Sequence, residues 1–342
     1  LNNINMANKW CVVVALISIL TTTTTSCGNS DNNTPRKVTA AVLSAPYELL
    51  LVADKKWLSS GNGIEFRNIV ERPIEGLPQP EPNFRVTTLS PKYYEGQYLM
   101  YGNIFIADIN EKYTSTEIEV KHDVHATPQV VVTVKGPSSD DIMIHLDNRK
   151  DSVLSIFNNN ELKRECRQLK KNHSANVSKQ MAKVFGMDIF APKDMDTVFP
   201  HEGFIWATSS SKANQNLCVY TYPYSGEADF TLERIIEKRD SVMKIRVQGE
   251  RDGQYMKTEP KYTNGKIIRR NNKTIFETRG LWIMVKDAMG GPFVSYAQLD
   301  TINNMMVVAE GFVFAPNEKK RPLIRELEAT LQTLKLPTKK SH

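Results

Sequence analysis

Apolar positions along this chain recur at two spacings, and the switches between them outline its elements. Tyr47-Glu48-Leu49-Leu50-Leu51-Val52-Ala53 is a nearly continuous apolar run, the pattern of a central strand. Residues 64–70 have helical character. Strands are predicted over 85–89, 103–108, 117–121 and 129–135. Ser138-Ser139-Asp140-Asp141 predicts a helix start, with hydroxyl caps and acidic residues at the positive end. Leu162, Cys166, Leu169, Val177, Met181 and Val184 recur at helical spacing. They predict one long helix over 160–185, closed by Gly186. Four prolines within residues 73–82 forbid helix and central strand. That stretch is expected either to cross the surface as a rigid loop or to serve as an extended docking segment.

The pattern restarts after residue 190. Strands are predicted over 204–207 and 217–222, then a helix over 231–244 capped by Asp229 or Thr231. Further strands follow at 266–270, 274–285, 293–300 and 305–314, then a closing helix at 321–334. Long strands joined by short turns imply an antiparallel meander. The order indicates an α+β fold, with mainly antiparallel sheets and helices packed on one side. Each half, 41–190 and 191–337, runs strand, helix, strands, an order that allows a pseudo-repeat, although no sequence repeat stands out.

The N-terminal stretch changes the picture of where the protein works. Lys9 precedes an apolar run over 10–20. That run falls short of the roughly 20 residues that span a bilayer and fits the core of a secretory signal. Thr24-Thr25-Ser26-Cys27 then resembles a lipobox, with small residues before the cysteine and Thr24 in place of the usual Leu. Residues 1–27 are therefore expected to be a lipoprotein signal, with Cys27 lipidated and residues 28–40 a polar tether. The expected location is the cell envelope, on the outer membrane facing the periplasm. A formal charge of +6 over 342 residues is too mild for a nucleic-acid binder. Cys166 and Cys218 can pair in an exported protein or stay as two thiols.

Candidate chemistry is sparse. His122 and His125 are three apart on a predicted strand, so they point to opposite faces and make a poor metal pair. No metal or cofactor is expected. Glu277, Glu310 and Asp287 are the candidate acids or bases, though catalysis would need two carboxyls at a defined separation. Glu277 and Arg279 share a strand face, where they can pair or line a pocket with Glu310. Binding candidates are Gln79, Glu81, Arg279, Trp282, Gly290 and Gly291, the glycines in a tight connection. Tyr220, Tyr222, Tyr224 and Trp282 suit either the core or an aromatic contact patch. Lys163, Arg164, Arg167, Lys170, Lys171, Lys179 and Lys183 make a basic helix face, either solvated or resting on anionic headgroups. Ser152, Thr197 and Thr301 stand in Asp–hydroxyl–aliphatic triplets that resemble O-glycosylation sites, although Asp, Ser and Thr also suit caps and turns.

Longer motifs carry a family resemblance. They include residues 77–82, Pro128-Gln129, Tyr220-Thr221-Tyr222-Pro223-Tyr224 and Lys238-Arg239-Asp240-Ser241. The strongest are Arg279-Gly280-Leu281-Trp282, Met289-Gly290-Gly291-Pro292-Phe293-Val294-Ser295 and Glu310-Gly311-Phe312-Val313-Phe314-Ala315-Pro316. Together they resemble an uncharacterised family of Bacteroidetes lipoproteins, domain of unknown function 4837. The resemblance implies an envelope lipoprotein and no particular activity. The expectation is a non-enzymatic component that binds an envelope protein or glycan partner. The alternatives are a glycan or peptide hydrolase using paired carboxylates, or a carrier of lipid or small molecules, which would need a large apolar cavity.

Overall fold

The computed structural model describes residues 40–270 and 273–337. The expected signal, Cys27 and all of the tether except Ala40 lie outside these residues. The described residues fall in a single compact unit, and none of their helices is long and apolar enough to cross a membrane.

The chain opens with β1 (Ala40–Ala41), β2 (Glu48–Val52), α1 (Lys55–Leu58), α2 (Gly61–Val70) and β3 (Arg85–Leu89). It continues through β4 (Asn103–Ile109), β5 (Glu117–His122), β6 (Ala126–Thr127) and β7 (Val130–Gly136). Strands β3-β2-β4-β7-β5 form one sheet, parallel except where β5 pairs with β7. Leu49, Leu51, Phe105 and Val132 face a core closed by helices, including Phe66 of α2. Leu50, Val52, Ile104 and Val131 face the other side, under Tyr94, Tyr98 and Tyr101. Burial on both faces is why β2 reads as an unbroken apolar run.

Helices α3 (Ser139–Asp147), α4 (Lys150–Lys171) and α5 (Ala175–Phe185) follow. Ser138 caps α3 by accepting the N–H of Asp141, and Gly186 closes α5 at φ 66°. The single helix expected over 160–185 is two helices. It breaks at Asn172-His173-Ser174, where Ser174 caps α5 by accepting the N–H of Val177. The apolar stripe continues across the break because both helices bury a face, and this hides the boundary from periodicity.

The remaining elements are β8 (Thr197–His201), β9 (Phe204–Thr208), β10 (Asn214–Pro223), α6 (Leu232–Arg246), β11 (Met256–Arg270), β12 (Lys273–Met284), β13 (Gly290–Asp300), β14 (Met305–Phe314) and α7 (Arg321–Gln332). Their seven strands pair in the order β11-β12-β13-β14-β10-β9-β8, all antiparallel. The fold is α+β and the meander is present. The expectation of helices on one side is corrected: α5 and α7 cover one face of this sheet, and α6 covers the other. The two halves are not similar either, because one sheet is mostly parallel and the other wholly antiparallel. Strand β8, with Pro200, and most of β11, with Pro260, escaped the sequence reading. Both are edge strands, where proline is tolerated, and Pro260 falls in the irregular stretch of β11 between Glu259 and Asn264.

The two sheets are joined through α7. Arg325 donates to Asn83, to Asn158 of α4 at 3.1 Å and to Glu328 at 2.9 Å. Its guanidinium lies over the Tyr47 ring, 5.0 Å from the centroid. One α7 side chain thus touches β2's approach, α4 and the proline-rich segment's end.

Candidate functional site

Of the sequence-nominated residues, Trp282, Asp287 and the glycines Gly290 and Gly291 come together. Helix α6 covers only part of its sheet face. The segment after it folds back, leaving a cleft of about 430 Å³ over the uncovered end. Trp206 from β9, Trp282 from β12, and Phe312 and Phe314 from β14 supply aromatic walls. Met256, Met284 and Met289 fill between them. Trp282 stacks edge-on against Phe312 at 5.6 Å, and its indole N–H donates to the Val313 carbonyl at 3.2 Å. Gly291 permits that contact, since a Cβ there would collide with the Val313 carbonyl. The tight connection expected at 289–292 is therefore corrected: Gly290 and Gly291 begin β13, paired with Ile283 and Trp282. The glycine serves close strand approach rather than a turn.

The cleft's rim is polar. Gln254 donates to Asp287 at 2.8 Å, and Arg251 stands 3.6 Å from the same carboxylate. Trp206 donates its indole N–H to Asn216 at 2.9 Å. Both indole N–H groups are thus committed within the protein, and ring edges and faces are what the cleft offers a ligand. Glu250 lies exposed on the rim. Apolar walls with a few convergent polar groups are the general form of a small-molecule site. Tyr220 and Tyr222, by contrast, are buried in the core beneath α6.

The other two candidate carboxylates lie elsewhere and on opposite faces of the seven-stranded sheet. Glu310 is fully buried beneath α6, gripped by Arg239 through two hydrogen bonds of 2.7 and 2.8 Å. Arg239 also donates to Thr258 and stacks on Phe293. Burial pushes the Glu310 carboxyl up, against the pull of Arg239. Glu277 faces α7. Arg279 bonds it at 3.1 Å and bridges to Glu328 at 2.8 Å. Burial would raise both carboxyls, but the arginines prevail, Arg279 foremost. Glu277 is lowered, and Glu328 is held at about 2 by Arg279, Arg325 and Arg270. The pocket of Glu277 with Glu310 is thus replaced by two separate ion-pair clusters, and neither presents a free proton donor. Glu277, Glu310 and Asp287 do not converge, so no two of them form a catalytic pair.

The remaining candidates have structural places. Glu81 accepts the backbone N–H groups of Lys320 and Arg321 at the start of α7, and Gln79 is exposed beside it. The proline-rich loop is a crossing that fastens to α7. Gly76 adopts φ 81° where it packs against Arg279 and Gly280. Cys166 and Cys218 are free thiols. Cys166 sits between α4 and α7 and Cys218 beneath α6, so the seven-stranded sheet separates them and the disulfide alternative is corrected. His122 and His125 are exposed. Ser152, Thr197 and Thr301 are exposed, in α4, at the start of β8 and in the β13–β14 turn. Asn214, Asn216 and Gln254 were missed by sequence reading, because isolated amides in strands and loops carry no pattern.

Two family matches divide the chain at the α4–α5 break. Residues 174–333 match the family described as Domain of unknown function (DUF4837). Residues 43–170 match a second one, Domain of unknown function (DUF8532). The motifs at residues 77–82 and Pro128-Gln129 therefore fall in the second family rather than the first. No curated protein matches the chain. Solved structures similar to part of it include a mutant of the protein Mog1, at 9% identity and TM-score 0.28, covering 44% of this chain and 90% of that one. Cyanobacterial PsbP (CyanoP) from Synechocystis sp. PCC 6803 matches at 8% identity and TM-score 0.26, covering 44% and 87%. A Bacteroides thetaiotaomicron protein matches at 11% identity and TM-score 0.26, covering 45% and 46%.

Proposed function

We propose that this DUF4837-bearing chain is an exported lipoprotein, held in the cell envelope through lipid on Cys27, whose body binds a glycan without cleaving it. The aromatic cleft beside Asp287 carries the ligand reading. Ring faces of the kind Trp206 presents suit the apolar faces of sugar rings, and Gln254, Asp287 and Arg251 suit their hydroxyls. The scattering of Glu277, Glu310 and Asp287 favours binding over hydrolysis. The lipobox at Thr24-Thr25-Ser26-Cys27 supports the lipid anchor.

The test is a tryptophan-fluorescence titration with peptidoglycan-derived oligosaccharides, followed by chromatography of the recovered sugar. The expected result is a saturable shift that is lost in Trp206→Ala, with the sugar returned intact. Absence of any shift, or a shift unchanged by Trp206→Ala, refutes the cleft as the site. Cleaved sugar would instead establish a hydrolase, with Glu250 and Asp287 the carboxylates to replace next.

A further inference from the structure

On the opposite face of the seven-stranded sheet, a second groove runs between α4, the β11–β12 hairpin and the end of α7, with a volume of about 650 Å³. Its floor is apolar, from Leu162, Ile275 and Leu331. Its walls are cationic. Lys163, Arg167 and Lys170 project from α4, while Arg269 and Lys273 face them from the hairpin. None of these five is in an ion pair among the described residues, in contrast to Arg279 and Arg325 next door. Lys335 stands at one end, 3.8 Å from Asp188.

A basic face on one helix is ordinarily a solvated face. Here a second set of cations, about a hundred residues away in sequence, lies across the groove from the first. Like charges held around one concavity repel each other and focus a positive potential into it. Arg270 at the base is fixed in place: it donates to the Tyr296 hydroxyl at 2.9 Å and to Gln332 at 3.0 Å, with Glu328 3.8 Å away beneath it. Guanidinium forks match phosphate oxygens in pairs, and lysines act as point charges around them.

We infer that this groove binds a ligand carrying more than one phosphate group, either an anionic lipid headgroup or a soluble polyphosphate. Several cations spaced along two walls require several anionic groups, and the apolar floor accommodates the carbon skeleton between them. The site shares no residue with the aromatic cleft and stands independently of it.

The experiment uses the full chain in neutral detergent and follows phosphorus NMR lines. One arm titrates tripolyphosphate. The other adds cardiolipin, a lipid with two phosphates, or phosphatidylcholine to the micelles. The inference expects a saturable, salt-sensitive shift with tripolyphosphate or with cardiolipin, and the responding arm identifies the source. The triple variant Arg167→Gln, Lys170→Gln, Arg269→Gln should weaken binding about tenfold or more. The pair Lys179→Gln, Lys183→Gln on α5, which lies outside the groove, should leave it unchanged. All five positions are exposed or half-buried, and the single variant Arg269→Gln, expected to weaken binding less, stands in if the triple one fails to fold. No shift in either arm, an equal response to phosphatidylcholine, or equal weakening by both variant sets overturns the inference.

Discussion

Glu81 caps a helix that begins 240 residues after it: its carboxylate accepts the Lys320 N–H at 2.7 Å and the Arg321 N–H at 3.1 Å. The first turn of a helix leaves its N–H groups without partners, and Lys320 itself provides no side-chain cap. A carboxylate at that end also meets the favourable end of the helix dipole. The proline-rich crossing exists to deliver that group. Glu81→Ala should therefore cost about 1 kcal/mol of stability, the usual worth of a lost cap. Urea denaturation checks this, and Gln79→Ala, an exposed neighbour, should change nothing measurable.

The pair Arg239–Glu310 should be far more costly to break. Both side chains are buried. Glu310→Gln removes the buried counter-charge of the Arg239 guanidinium and leaves it only the half-exposed Asp240, 3.4 Å away; breaking a buried pair in this way typically costs about 3–5 kcal/mol. Replacing both partners with apolar residues of similar volume should recover much of that loss. The measurement is the denaturation midpoint of the single and double variants.

Stability should depend on pH through Glu165. Burial, with Glu326 and Glu161 nearby, raises its carboxyl to about 7. The folded state then holds a proton that the unfolded chain releases near 4.5. Its contribution is fully present below about 4.5 and is lost as pH rises to about 7. Glu165→Gln should remove that slope and add about 1–3 kcal/mol at pH 8. Glu328 acts in the opposite sense. Its lowered carboxyl, at about 2, contributes stability above 4.5 that fades as pH falls towards 2. Thermal melts of wild type, Glu165→Gln and Glu328→Gln across pH 3–8 separate the two.

The thiols should be unreactive in the native protein. Burial raises Cys166 to about 11 and pushes the Cys218 thiol well above its ordinary range, so neither forms thiolate readily at neutral pH. Iodoacetamide without reductant should label the peptides of both residues only after denaturation. Labelling that requires prior reduction would instead reveal a disulfide.

Anchoring should fail when the lipobox cysteine is changed. Cys27→Ser should shift the chain from the membrane to the soluble fraction and abolish incorporation of labelled palmitate. Unchanged fractionation would remove the anchor from the functional reading.

What the sequence alone determined here is local. The unbroken apolar run of β2, the Ser138, Thr231 and Gly186 caps and the long strands and short turns of the meander depend on neighbours within a turn or a strand, where period and capping chemistry operate. Pairing of Glu277 with Arg279 was legible for the same reason, since the two stand two residues apart. Tertiary structure decided the rest. Glu310 was separated from Glu277 because adjacent register positions put them on opposite faces of one sheet. Glu81 became a cap, Gly291 a point of close approach to Val313, and Arg269 the partner of Arg167 across a groove. Each of those roles depends on residues far away in sequence, and only packing brings them within reach.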